Sequence, residues 1–180
     1  KYYFEIMNRV FCYLTVLFLI VSCSKTTKKI SSTNNSIDYS VLNSFVQDSL
    51  PNFKNIDQNY KEVFNLWKDI KIIQSTNDII SSDPRQLSFL LEALKLEVKK
   101  INDYQIPGQL NVPHVIGRLR VYKTNVFKIN SNKIELENIQ LFKKNLKSIV
   151  ISYNALIDMM NKIAKESSEN NKVQSINLVE

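Results

Sequence analysis

The sequence predicts an all-α protein, an antiparallel bundle of about four helices with coiled-coil-like packing. The 180-residue chain contains only two glycines and four prolines, whereas β-sandwiches and barrels need a turn about every 8–12 residues. Hydrophobic residues make up 44% of the chain and charged residues 23%, as expected of a chain that buries a core. Apolar residues also recur at alternating steps of three and four along several segments, which is the period of an amphipathic helix.

The N-terminal region has the pattern of an exported protein. From Met7, the alternative translation start, Arg9 supplies a positive charge and residues 10–21 form an apolar run. A membrane-spanning helix needs about 20 apolar residues, whereas this run has the length of the hydrophobic region of a secretory signal peptide. It ends in Leu-Ile-Val-Ser-Cys at residues 19–23. We therefore expect a signal peptide over residues 1–22.

Ile20, Ser22 and Cys23 resemble the lipobox of bacterial lipoproteins, in which an aliphatic residue stands three positions before a cysteine and a small residue directly before it. The resemblance covers residues 7–23 only. It implies cleavage between Ser22 and Cys23 and acylation of Cys23, with palmitate-type chains that hold the protein on a membrane. An ordinary signal peptide and an uncleaved anchor are the alternatives.

The same resemblance implies a location in the bacterial cell envelope. Ser24 directly after the cysteine resembles the residue that accompanies outer-membrane sorting, which favours the periplasmic side of that membrane. Cleavage would remove Cys12 and acylation would block Cys23, leaving no free thiol for nucleophilic catalysis.

Residues 23–52 are predicted to form the lipidated cysteine and a flexible linker. The stretch 24–36 has a single apolar residue and no hydrophobic period. A short amphipathic helix containing Leu42, Phe45 and Val46 is expected before Pro51.

Residues 53–166 are predicted to form the helical domain, because four apolar stripes lie within them. The first stripe comprises Ile56, Tyr60, Val63, Trp67 and Ile70. The second comprises Leu87, Leu91, Leu94, Val98 and Ile101, and the third comprises Val115, Leu119, Tyr122, Val126 and Ile129. The fourth comprises Ile139, Phe142, Leu146, Ile149, Tyr153, Leu156, Met160 and Ile163.

Turn residues separate these stripes. Asp83 is expected to cap the second helix, with Pro84 in its first turn and Gln86 completing a capping box. Residues 106–108, Ile-Pro-Gly, are expected to end it, and Pro113 to open the third helix with Asn111 as its cap. Ser131 or Asn132 would separate helices over residues 113–131 and 134–166, although one continuous helix is the alternative. Residues 167–180 are predicted to be a polar tail that frays from about Glu166.

Catalytic and metal-binding constellations are lacking in the sequence pattern. His114 is the only histidine, so a di-iron bundle and a Ser-His-Asp triad have no convincing members. Glu135 and Glu137 point apart on a helix, and Glu92 and Glu97 alternate with lysines that we expect to pair with them. We therefore predict no enzyme activity, no metal and no cofactor.

The formal net charge of +7 is unevenly distributed. Arg118, Arg120 and Lys123 in the third helix, with Lys143 and Lys147 in the fourth, are candidate contacts for an anionic partner. These residues do not lie on one helix face, which argues against nucleic acid. Neutralisation by Asp57, Glu62, Asp69 and Asp78 of the first helix is the simpler expectation.

Two functions remain after these exclusions. The first is a non-catalytic binding or assembly module that presents a helical face to an envelope protein or an anionic polymer. The second is a carrier that encloses a small apolar ligand, such as a lipid or acyl chain, between its helices. Phe64, Phe89 and Phe127, which lie beside the stripes, are expected in the core rather than at a partner surface.

Overall fold

The computed structural model describes residues 38–131 and 134–177, and every regular element among these residues is helical. The predicted all-α class is thereby confirmed. Six α-helices follow in order: α1 (Tyr39–Asp48), α2 (Lys61–Asn65), α3 (Ile70–Ile80), α4 (Leu87–Lys100), α5 (Pro113–Lys128) and α6 (Ile139–Asn177). Two 3-10 turns, Gln58–Tyr60 and Asp103–Gln105, precede α2 and follow α4.

Helix α1 is the short helix expected before Pro51. Its first turn is capped by the Asp38 carboxylate, which accepts a hydrogen bond from the Ser40 backbone N–H at 2.9 Å. Leu42 is fully buried in the core, and Phe45 and Val46 pack against the core with part of their surface. The helix therefore belongs to the folded body, although it lies within the stretch predicted to be linker.

The single first helix predicted from Ile56 to Ile70 is wrong. The backbone there forms a 3-10 turn, the short α2, and a break before α3 at Ile70. Ile56, Trp67 and Ile70 are nevertheless buried, so the spacing reflects burial without a continuous helix. Helix α3, which the sequence analysis missed, buries Ile70, Ile73, Thr76 and Ile80.

Helices α4 and α5 bury their predicted stripes completely, but their ends differ from the expectation. Residues 84–86 form a turn before α4, and the Asp83 carboxylate accepts from the Arg85 backbone N–H at 2.9 Å instead of capping the helix. Helix α4 ends at Lys100, ahead of the Ile-Pro-Gly sequence at 106–108. Pro113 opens α5 as predicted, but Val112 rather than Asn111 is the flanking residue, with no side-chain cap.

Helices α5 and α6 are separate elements, as the break near Ser131 predicts. Asn125 in the last turn of α5 donates to the Ser148 carbonyl of α6 at 3.3 Å. Helix α6 continues past Glu166, the predicted end of the last helix, to Asn177. The stretch lacks Gly and Pro, and Lys162–Glu166 and Lys165–Glu169 pairs at 3.8 and 4.0 Å support the helix there.

The core is one cluster built from every α-helix described above. Its largest fully buried side chains include Trp67, Tyr122 and Phe64, the last as predicted. Phe89 and Phe127 were expected in the core, but 75% and 45% of their surfaces are exposed. Each lies about 100–200° around its helix from the buried stripe positions, which places it on the solvent side.

An extended segment, residues 51–57, links α1 to the 3-10 turn and is held by two asparagines of α6. Asn154 accepts from the Lys54 N–H at 2.9 Å and donates to the Asn52 carbonyl at 2.8 Å. Asn161 accepts from the Asp57 N–H at 2.9 Å and donates to the Asn55 carbonyl at 3.0 Å. Each side-chain amide thus pairs with the segment as a neighbouring β-strand would.

Candidate binding surfaces

The five basic residues predicted as partner contacts have different environments. Arg120 pairs with Asp103 through nitrogen–oxygen distances of 2.7 and 3.1 Å. Lys123 donates to the Ile101 carbonyl at 2.7 Å, which satisfies a carbonyl just beyond the end of α4. These interactions commit Arg120 and Lys123 to contacts within the fold.

Lys143, Arg118 and Lys147 have different environments from Arg120 and Lys123. The Lys143 ammonium lies 5.2 Å from the centre of the Phe45 ring, within the range of a cation–π contact. Arg118 lines a groove between α5 and α6. Lys147 is exposed and lies four residues before Ile151, another residue of this groove. Arg118 and Lys147 have no ion pair with any residue that the structure describes.

Acidic partners for the basic helices do not come from the predicted source. Across residues 38–131 and 134–177, no ion pair involves Asp57, Glu62, Asp69 or Asp78. Asp103 in the 3-10 turn after α4 serves instead. The predicted first helix that would have carried these acids is broken before α3.

The α5–α6 groove has an apolar floor with polar walls. It encloses about 230 Å³ and is lined by Arg118, Val121, Asn125, Ser148, Ile151, Ser152 and Ala155. Val121 and Ile151 each expose 52% of their surface. Helix α5 contains no acidic residue, and α6 contains none before Asp158. The groove therefore joins exposed apolar surface to a positive rim.

Gly117 lies beside this groove, four residues before Val121. It is exposed in the middle of α5, and a Cβ atom built on it would meet nothing within 4 Å. Packing within the described chain therefore does not require glycine here, although glycine weakens a helix by about 1 kcal/mol relative to alanine. The result is a low point on the helix surface where another backbone can approach closely.

A polar cavity lies on another side of the molecule and was missed by the sequence analysis. It measures about 350 Å³ and is lined by residues of the extended segment and the turn after it, of α3 and of α6: Asn55, Ile56, Gln58, Gln74, Asn77, Asp78 and Tyr153. Burial, followed by the nearby Asp78 charge, raises the pKa of Tyr153 to about 12. Its hydroxyl therefore stays protonated at neutral pH.

Among the residues that the structure describes, Ser131, Lys95 and Glu92 form a constellation that resembles a catalytic group. Lys95 Nζ donates to Glu92 at 2.8 Å and to Ser131 Oγ at 3.1 Å, while the Ser131 hydroxyl donates to Glu92. Hydrogen bonds from Lys95 and then Ser131 lower the pKa of Glu92. Because Ser131 is fully buried and its hydroxyl already donates to a carboxylate, this group fixes the loop after α5 against α4 and offers no accessible nucleophile. The local Glu92–Lys95 and Glu97–Lys100 pairs are as predicted.

Several predicted features lie outside the described residues, among them the signal peptide, Ser22 and Cys23. Within the part of the chain that the structure describes, no cluster of His, Cys, Asp and Glu side chains could hold a metal ion. Over those same residues, no helix has the length and hydropathy needed to cross a bilayer.

Comparison with known proteins gives no match to a protein-family model, to a curated protein or to a solved structure. A function is therefore inferred from the geometry of the α5–α6 groove and the polar cavity.

Proposed function

We propose that the chain is a lipid-anchored protein of the bacterial cell envelope whose helical domain is a non-catalytic binding module. In this proposal the α5–α6 groove binds an acidic, amphipathic helical segment of another envelope protein. The observation that carries it is the combination of the exposed apolar residues Val121 and Ile151 with two basic residues, Arg118 and Lys147, that have no ion pair among the described residues. The proposal includes the finer architecture, an antiparallel four-helix bundle with coiled-coil-like packing formed by the longest helices.

The chemistry of the groove favours a protein segment over an anionic polymer. Val121 and Ile151 offer apolar surface, which an amphipathic helix can cover but a uniformly charged polymer cannot. Arg118 and Lys147 can pair with carboxylates on either side of that apolar strip, which fixes orientation more than it adds affinity. Lys144, four residues before Ser148, extends the positive rim.

Gly117 supports the same proposal through the shape of the helix. A side chain at this position would stand beside the groove, where the partner backbone would lie. Glycine lowers the stability of a helix interior, and no described residue occupies the space that a side chain at position 117 would enter. Close approach of a second helix would explain a glycine at this position.

In this proposal the lipid anchor holds the module at a membrane. Residues 20–23 support lipidation at Cys23, and two or more acyl chains bind a membrane far more stably than one. Replacing Cys23 with alanine should release the protein from membrane fractions and leave the precursor unprocessed. Membrane retention at the mature size in Cys23→Ala would contradict lipidation without bearing on the groove.

Site-specific crosslinking in intact cells tests the groove. A photoreactive amino acid replaces Val121, which is 52% exposed, in one strain and Leu96 of α4, which is 66% exposed, in a control strain. We expect a protein adduct from position 121 only, with the crosslinked peptide rich in Asp and Glu. The double variant Arg118→Glu, Lys147→Glu should abolish this adduct, whereas Lys99→Glu on α4 should not.

Four outcomes would contradict the proposed partner. Identical adducts from positions 121 and 96 would indicate a nonspecific surface. An adduct that survives charge reversal would remove the electrostatic argument. A protease-resistant adduct would replace the protein partner with an anionic polymer, and lipid bound stoichiometrically inside the purified domain would favour the carrier function instead.

A further inference from the structure

The polar cavity described above has a lining unlike that of the α5–α6 groove. Its walls come from the extended segment 51–57 and the turn after it on one side and from α3 and α6 on the other. The two asparagine side chains of α6 fix that segment through four backbone hydrogen bonds of 2.8–3.0 Å. The cavity is thus preformed by hydrogen bonds between elements that are distant in sequence.

Several polar groups of the lining have no hydrogen-bond partner among the residues that the structure describes. They include the side chains of Gln74 and Asp78 and the hydroxyl of Tyr153. Gln74 and Asp78 are exposed, and the Tyr153 hydroxyl is not among the fully enclosed unpaired atoms although the residue is 2% exposed overall, so these groups are accessible to a ligand. The protonated Tyr153 hydroxyl can donate, the Asp78 carboxylate can accept, and the amides can do both.

The lining selects one class of ligand by its composition. Among the described residues, no lysine, arginine or histidine lines the cavity, so an anion would find no opposite charge there. Within the same part of the chain, Ile56 is the only aliphatic residue in the lining, so a lipid would leave the polar groups unpaired. Neighbouring hydroxyl groups, each a donor and an acceptor, match a wall of amides, one carboxylate and one phenol.

An adjoining cavity enlarges the site. It measures about 340 Å³ and shares Asn77 with the first. Its lining includes two further amides, Gln47 and Asn52, and the ring of Phe53. Phe53 packs edge-to-face on Tyr153 with a centroid distance of 5.2 Å. An aromatic ring beside amides offers a surface for the C–H face of a sugar ring.

We propose that the cavity formed by the extended segment, α3 and α6 binds a saccharide, with one unit held by Asp78, Tyr153 and the amides and room for a second unit beside Asn77. This site goes beyond the proposed function, and its test is independent of the test of the α5–α6 groove. The binding is reversible and involves no chemical step.

Ligand-observed NMR with the purified full chain tests the site. The probes are D-glucose, N-acetyl-D-glucosamine and their β-1,4-linked disaccharides, with putrescine as a cationic alternative for Asp78. We expect saturable millimolar binding of at least one saccharide, tighter for the disaccharide. Tyr153→Phe and Asp78→Asn should each weaken it about three- to tenfold, the range for one lost hydrogen bond.

Matched controls separate loss of binding from loss of structure. Tyr104→Phe and Glu97→Gln make the same kinds of chemical change near the end of α4, at residues that line neither cavity, and should leave binding unchanged. Tyr153→Phe keeps the ring that packs on Phe53, so its thermal unfolding should match that of the unchanged protein. Absence of saturable binding to every saccharide, equal binding by Tyr153→Phe and Asp78→Asn, or preferential binding of putrescine would each overturn the proposal.

Discussion

The substitution Tyr122→Phe isolates one buried hydrogen bond. The Tyr122 hydroxyl lies 2.6 Å from Thr76 Oγ1, and both residues are fully buried. Removing the hydroxyl leaves the Thr76 oxygen without this partner in the core. An unpaired buried polar group costs about 1–3 kcal/mol, so we expect the free energy of unfolding to fall by about 1–2 kcal/mol, since Thr76 can turn towards the backbone of its own helix.

Tyr153→Phe is the matched control for this experiment. Tyr153 is also buried in the core, and its ring lies 6.4 Å from that of Tyr122. Its hydroxyl has no partner among the described residues. Loss of that hydroxyl should therefore change the free energy of unfolding by less than about 0.5 kcal/mol.

Urea unfolding followed by circular dichroism measures both effects. With a slope of about 2 kcal/mol per molar urea, Tyr122→Phe should lower the midpoint by about 0.5–1 M. Thr76→Val alone should also destabilise, whereas the double variant should recover part of the loss, because two apolar groups of similar shape replace the bonded pair. Equal midpoints for Tyr122→Phe and Tyr153→Phe, or strictly additive losses in the double variant, would refute the reasoning.

Three further predictions concern stability. Gly117→Ala should raise the melting temperature, with a gain of about 0.5–1 kcal/mol in the free energy of unfolding, because the added Cβ meets nothing within 4 Å. A lower melting temperature would contradict an open surface at this position. Burial raises the pKa of Tyr153 to about 12 and that of Tyr122 further, whereas an unfolded tyrosine ionises near pH 10. The folded state then binds more protons, so stability is complete below about pH 10 and falls towards pH 12. Urea unfolding at pH 9 and 11 should show this loss, and a smaller one in Tyr153→Phe. Asn161→Ala removes two hydrogen bonds to the segment 51–57 and should cost about 1–2 kcal/mol; an unchanged urea midpoint would count against this role.

The sequence predicted the helices whose stripes consist of apolar residues alone. All members of the stripes in α4 and α5 are buried, and in α6 only the end members Ile139 and Ile163 are partly exposed. These helices pack side by side, so the period of three and four reports the face turned towards the core. The break between α5 and α6 was predicted at Ser131 or Asn132 because the apolar stripe loses phase there, with Leu136, Ile139 and Phe142 following at two steps of three.

Helix α3 was missed because a polar residue occupies its buried face. Thr76 stands between Ile73 and Ile80, and its hydroxyl is satisfied only by Tyr122, forty-six residues later in the chain. A pairing at that distance is invisible to local periodicity. The false helix from Ile56 to Ile70 has the opposite cause, since irregular backbone can bury side chains at helical intervals by chance.

The binding surfaces were partly foreseen. Arg118 was named as a partner contact, and the structure puts it in the lining of the α5–α6 groove. Arg120 and Lys123 lie on the same helix, but their partners come from the turn after α4, which the helical period does not describe. The amide-rich cavity gave no sequence signal, because its residues come from three elements and include no recognised motif.

The asparagine pairs on α6 also bear on the order in which the molecule assembles. They join residues separated by 100 to 106 positions in sequence, and contacts across such distances form late because the intervening chain must first be ordered. The extended segment 51–57 should therefore dock last on refolding and detach first under mild denaturant. Amide hydrogen exchange at Lys54 and Asp57 would then be faster than in the middle of α6, and anything that fills the neighbouring cavity would slow it.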